Sequence, residues 1–105
     1  MGSYRSKLDI IADILYITKR NCGAKKTQIM YGANLSYTVL TKYLHEILEA
    51  CLIRFEKSKR CYMLTAKGQK FLEEYRKYSR RNKHVERQLN DIKAKRKVLE
   101  ELCSK

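Results

Sequence analysis

Lys26-Thr-Gln-Ile-Met-Tyr-Gly-Ala-Asn-Leu-Ser36, continued by Tyr37-Thr-Val-Leu-Thr-Lys-Tyr-Leu-His-Glu-Ile-Leu-Glu49, is the stretch that decides the fold. Its first part carries Ile29, Met30 and Tyr31 on a short helix that Thr27 can cap. Gly32-Ala33-Asn34 ends that helix, because Gly and Asn tolerate the left-handed stop conformation. Ser36 then caps a longer helix with Leu40, Tyr43, Leu44, Ile47 and Leu48 on one face. Glu46 and Glu49 are expected on the opposite side. A short helix, a tight turn at Ala33-Asn34-Leu35 and a longer helix predict a helix-turn-helix.

Upstream, Leu8, Ile11, Ile14, Leu15 and Ile17 recur at three- and four-residue steps, the apolar face of another helix. Ser3 or Ser6 can cap its start. Arg20-Asn-Cys-Gly-Ala24 interrupts the spacing and reads as a turn. Downstream, Leu52-Ile-Arg-Phe-Glu56 reads as a strand, Lys57-Ser-Lys-Arg60 as a polar turn and Cys61-Tyr-Met-Leu64 as the returning strand. A lone hairpin is marginal in water, so this one should pack on the helices before it. Three helices followed by a hairpin is the order of a winged helix-turn-helix.

Thr65 next caps a last helix that meets no proline before the C-terminus. Along it Phe71, Tyr75, Tyr78, Asn82, Val85, Leu89, Ile92, Arg96, Leu99 and Cys103 alternate at steps of four and three. That is the heptad seam of a left-handed coiled coil. A helix of this length extends roughly 50 Å at about 1.5 Å per residue, too far for the preceding domain to cover its stripe. The seam therefore predicts a homodimer, with Phe71, Tyr75, Tyr78, Val85, Leu89, Ile92, Leu99 and Cys103 at the interface. Asn82 and Arg96 interrupt it, where polar residues set register and orientation. The expected division is a winged helix-turn-helix domain over 1–68 and a dimerisation helix over 69–105.

Composition narrows the function. The chain has 105 residues, 24 Lys+Arg against 11 Asp+Glu and a net charge of +13, with 44% apolar residues to build a core. A folded, strongly cationic protein of this size neutralises a polyanion. No apolar run is long enough for a membrane span, and no secretory signal precedes the first helix. Cys22, Cys51, Cys61 and Cys103 contain no Cys-x-x-Cys pair, and His45 and His84 complete no zinc pattern. They read as reduced thiols, with Cys22–Cys51 or Cys51–Cys61 bridges the alternative in a hyperthermophile. No Gly-rich phosphate loop or acid/base constellation points to an enzyme, a cofactor or a small-molecule substrate.

Subtracting the apolar face of the Ser36 helix leaves Tyr37, Thr38, Thr41, Lys42 and His45 outward. Hydroxyls, an aromatic edge and an ammonium suit contacts with phosphates and base edges. No Arg, Asn or Gln stands on this face after Asn34, and those are the best bidentate base readers, so low sequence specificity is expected. Lys25, Lys26 and Thr27 at the start of the preceding helix, and Lys57, Lys59 and Arg60 at the hairpin tip, should flank it. The last helix is itself basic, with Arg76, Lys77, Arg80, Arg81 and Lys83 its densest run. Such a run is usually a solvated face; contact with the same polyanion is the alternative.

Several blocks in order and spacing resemble an archaeal winged-helix family: Lys26 to Tyr37, Leu40-x-x-Tyr43-Leu44-x-x-Ile47, Leu52-Ile53, and Tyr62-x-Leu64-Thr65-x-Lys67-Gly68-x-x-Phe71-Leu72. The chain is most similar to the Sso-ten-a type of small chromatin-associated DNA-binding proteins. The resemblance implies a mainly α fold with a small β-hairpin, a winged helix-turn-helix followed by a long helix that forms an antiparallel coiled-coil dimer. It implies double-stranded DNA and a second copy of the chain as partners, and a cytoplasmic place on the nucleoid. One departure is Cys51, where such domains usually place glycine; a side chain makes a tight left-handed turn costlier there. The resulting reading is a dimer of low sequence specificity that coats or bridges DNA. The alternative is a winged-helix regulator of a defined operator. A protein–protein adaptor would leave the basic winged domain unexplained.

Overall fold

In a computed structural model that describes residues 5–104, Ser6 opens α1 (Lys7–Arg20). Its hydroxyl accepts from the Asp9 amide at 3.2 Å, and the Asp9 carboxylate accepts from the Ser6 amide at 3.0 Å. This reciprocal pair satisfies two amides that a helix start leaves without partners. Ser3, the other candidate cap, lies outside the described residues. The second helix, α2 (Lys26–Gly32), is not capped by Thr27. Lys25 holds the cap position and its amide donates to the Gln28 side-chain oxygen at 2.8 Å, which leaves Thr27 inside the first turn. Ser36 caps α3 (Tyr37–Glu49) as expected, accepting from the Val39 amide at 3.3 Å.

All three helices stop in one way. The chain turns left-handed at Cys22 (φ 51°), Asn34 (φ 54°) and Cys51 (φ 62°). At the end of α3 the Cys51 amide donates to the Leu48 carbonyl at 3.0 Å and the Leu52 amide to the Ile47 carbonyl at 3.1 Å. That is a Schellman stop, which satisfies carbonyls the helix would leave orphaned. The left-handed turn at Cys51 is thus present without glycine, at the cost its side chain implies. Its two hydrogen bonds, with a third from the Thr65 hydroxyl to the Cys51 carbonyl at 2.6 Å, offset the steric cost of the β-carbon.

Strands β1 (Ile53–Glu56) and β2 (Cys61–Leu64) pair antiparallel, Ile53 opposite Leu64 and Phe55 opposite Tyr62. The hairpin is fastened at its far side by an isolated bridge between Ala24 and Tyr62, whose amides donate to each other's carbonyls at 2.9 and 2.8 Å. Residues 21–24 are therefore a turn that ends in a third, one-residue strand. Thr65 caps α4 (Ala66–Cys103) by accepting from the Gly68 amide at 3.0 Å. Gly68 lies so close to the Leu52 carbonyl that a β-carbon there would collide with backbone.

Ile11, Ile14, Leu15 and Ile17 of α1 meet Ile29, Leu40, Leu44, Ile47, Leu52, Ile53 and Leu72 in one buried core. Each such side chain contributes roughly 1.5–3 kcal/mol over leaving it exposed. Two expectations change. Leu8, placed on the apolar face by its spacing, is 42% exposed. Glu46 does not face away from the core side: it is half-buried and pairs with Lys7 of α1 at 3.1 Å, tying α1 to α3. The four cysteines are free thiols, Cys61 buried and the others exposed.

The chain divides into two compact units, the first ending at Tyr75 and the second starting at Arg76. The opening turns of α4 belong to the first, since Leu72 is buried and Phe71 and Tyr75 pack against the core. In the second, every residue from Arg80 to Cys103 is exposed. Among the described residues no helix is long and apolar enough to cross a membrane.

Candidate nucleic-acid interface

Because Leu40, Leu44 and Ile47 turn one side of α3 into the core, the other side must face solvent. Tyr37, Thr38, Thr41, Lys42 and His45 are all exposed there. The α2 start meets this face directly. Lys26 holds its ammonium 4.0 Å from the centre of the Tyr37 ring. Hydrogen bonding and the charge of Lys26 hold the Tyr37 phenol below its ordinary pKa of 10.0. A cation over an aromatic face is attracted by the ring's electron-rich surface.

Thr41 is less available than its position suggests. Its hydroxyl donates to the Tyr37 carbonyl at 2.8 Å, so the proton a phosphate would accept is committed to the helix. Lys25 and Thr27 are exposed beside Lys26. The Ala24–Tyr62 bridge sets Lys25 one residue from the hairpin strand, so the α2 start and the wing are joined by backbone. Sequence reading missed that bridge, since one residue pair leaves no periodicity to detect.

At the wing tip Lys57, Lys59 and Arg60 are exposed, and the left-handed backbone of Arg60 (φ 49°) turns the chain into β2. The one acid of the hairpin, Glu56, is neutralised: Arg54 binds it at 2.6 Å and Ser58 donates to it at 3.0 Å. The Arg54 guanidinium, then Ser58, hold its carboxyl below the ordinary value of 4.5. The tip is left cationic.

The positions expected at a dimer seam split into two groups. Phe71 and Tyr75 stack on each other, ring centres 6.3 Å apart, and lie against the core of their own unit. The Tyr75 hydroxyl also donates to the Asp9 carboxylate of α1. Tyr78, Val85, Leu89, Ile92 and Leu99 are between 49% and 64% exposed, and Cys103 is exposed at the helix end. Val98 and Leu102, off the four–three ladder, are exposed as well. Among the described residues no cluster of histidine, cysteine and carboxylate side chains could hold a metal ion.

Residues 4–83 match the family model described as winged helix-turn-helix. An uncharacterized protein of Methanocaldococcus jannaschii is 42% identical over 69 residues; that segment is 66% of this chain and 31% of the relative, so the chain spans about a third of that protein's length. The fold is similar to the crystal structure of Sso10a-2, a DNA-binding protein from Sulfolobus solfataricus, with a TM-score of 0.66 at 24% identity. The match covers 96% of this chain and 100% of that one.

Proposed function

The chain belongs to the winged helix-turn-helix family, and from that premise we propose that it binds double-stranded DNA as a homodimer of low sequence specificity that coats or bridges the duplex. The carrying observation is the exposed face of α3 between two cationic flanks, Lys25 and Lys26 on one side and Lys57, Lys59 and Arg60 on the other. α3 is the element that enters the major groove in this family, and the flanks meet phosphates on either side of it. Low specificity follows from the same face. Lys42 and His45 there lack the planar fork of arginine or the paired groups of asparagine and glutamine, and Thr41 has its proton engaged. Such a protein belongs on the nucleoid.

The exposed seam of α4 supports the dimer, since an apolar stripe of this length on a solvated helix gains by being covered. The antiparallel arrangement of the two chains rests on the resemblance to the Sso-ten-a type alone. A regulator of one operator is the second reading, favoured only by the fold being shared with such proteins.

Salt titration of duplex binding tests the proposal. Each phosphate contact lowers log affinity against log salt by about 0.9, so two heads with several contacts each give a slope of roughly −5 to −9. Lys42→Ala or Arg60→Ala should reduce that slope and weaken random and genomic duplexes about equally. One duplex bound on the order of 10³-fold tighter than random sequence would favour the operator reading. A slope near zero would remove both.

A further inference from the structure

We propose that α4 carries a second phosphate-binding surface, the stripe Arg76, Arg80, Lys83 and Arg87, which grips the backbone of double-stranded DNA outside the winged unit. The inference rests on the DNA-binding reading above and extends it to a surface that reading does not use. Steps of four, three and four place these side chains on one face of the helix. At about 100° per residue that face lies roughly half a turn from Tyr78, Val85, Leu89 and Ile92. Pairing through the apolar seam would therefore leave the stripe pointing outward, and the two surfaces do not compete.

The stripe carries four cations, with Glu73 and Asp91 the carboxylates one turn beyond its two ends. All four residues are exposed, and among the described residues none of them makes an ion pair. Further along the same helix the pattern differs: Lys95 pairs with Asp91 at 3.1 Å and Arg96 with Glu100 at 3.1 Å. Glu86 is the one acid between residues 76 and 90, and it accepts from the Asn82 side-chain nitrogen at 3.3 Å. A helix that only spaces two heads gains from balanced i,i+4 pairs, as its second half shows. Its first half instead sets four cations on a single line.

That line matches one partner. It runs about 16 Å along the helix axis, a length over which a duplex presents roughly ten phosphate charges. Three of its four groups are guanidinium forks, the side chain that binds phosphate oxygens in pairs. Cationic contacts of this kind add affinity without reading sequence, in keeping with the character of α3.

The test uses the full chain and a random-sequence duplex titrated at several salt concentrations. Arg80→Gln with Lys83→Gln removes two stripe charges while keeping good helix formers in place. Lys93→Gln with Lys95→Gln removes the same charge elsewhere on α4. The stripe variant should lose about 1.8 from the salt slope per chain and bind severalfold more weakly, with the control close to the unmodified protein. Helicity by circular dichroism should be equal in all three. A stripe variant as tight and as salt-steep as the unmodified chain overturns this inference and leaves the α3 reading standing. Equal weakening by the control also overturns it, because net charge rather than a contact would then be the cause. An unmodified chain that does not bind the duplex removes the DNA reading itself.

Discussion

Cys51 shows how much a single backbone angle is worth. Its left-handed φ of 62° puts a β-carbon near the following carbonyl, a cost of roughly 1–2 kcal/mol that glycine does not bear. The exposed thiol returns little, since its sulfur reaches only the Glu49 carbonyl at 3.9 Å. Cys51→Gly should therefore stabilise the winged unit by about 0.5–1 kcal/mol, after the extra freedom of glycine in the unfolded chain is subtracted. Thermal unfolding should show a melting temperature several degrees higher. An unchanged or lower value would mean that the Schellman hydrogen bonds depend on the cysteine side chain. Asn34 at the end of α2 is the contrasting case, a residue type that tolerates the same conformation.

Between elements, the Tyr75–Asp9 hydrogen bond joins the start of α4 to the start of α1. The Tyr75 phenol, then the Ser6 amide, hold the Asp9 carboxyl below its ordinary value of 3.8. A carboxyl depressed by folding stabilises the native state above its unfolded value and loses that contribution as pH falls through the folded one. Stability should thus decline below pH 3.8, and Tyr75→Phe should both lower stability near neutrality and make the acid decline shallower. Urea midpoints measured across that range would check it; an acid decline of unchanged size in the variant would assign it to other carboxylates. This link also marks where legibility in the sequence ended. The helix-turn-helix, the hairpin and the caps at Ser6, Ser36 and Thr65 were readable because each rests on local chemistry: periodicity, a hydroxyl before an apolar run, a polar turn. Phe71 and Tyr75 also fit the four–three ladder, but spacing cannot say whether an apolar face meets its own domain or another chain. The Ala24–Tyr62 bridge and the Lys26–Tyr37 stack join residues far apart in sequence, and nothing local announces them. The α3 face was legible by subtraction alone, whereas the commitment of the Thr41 hydroxyl required coordinates.

For the whole molecule the deciding quantity is the exposed seam of the second unit. Burying Val85, Leu89, Ile92 and Leu99 against a second copy would contribute several kcal/mol at roughly 1.5–3 per large side chain. Sedimentation at tens of micromolar should accordingly report a dimer, and Leu89→Asp or Ile92→Asp should split it while the winged unit stays folded. A monomer for the unmodified chain would remove the coiled coil from the account. Orientation is checked at Cys103, exposed near the helix end: ready crosslinking of two Cys103 thiols would favour a parallel pair over the antiparallel one.

The one-residue strand at Ala24 has a consequence for the order in which the protein becomes competent. Ala24 and Tyr62, joined by two hydrogen bonds, clasp the ends of a loop that contains all of α2 and α3. Closing a loop grows costlier only with the logarithm of its length, yet the whole cost falls before any contact across the clasp is gained. Helices alone form within about a microsecond, so α3 can be helical long before it is aimed. On the DNA-binding reading proposed above, closing this loop is the step that would set the exposed face of α3 and the hairpin in one unit.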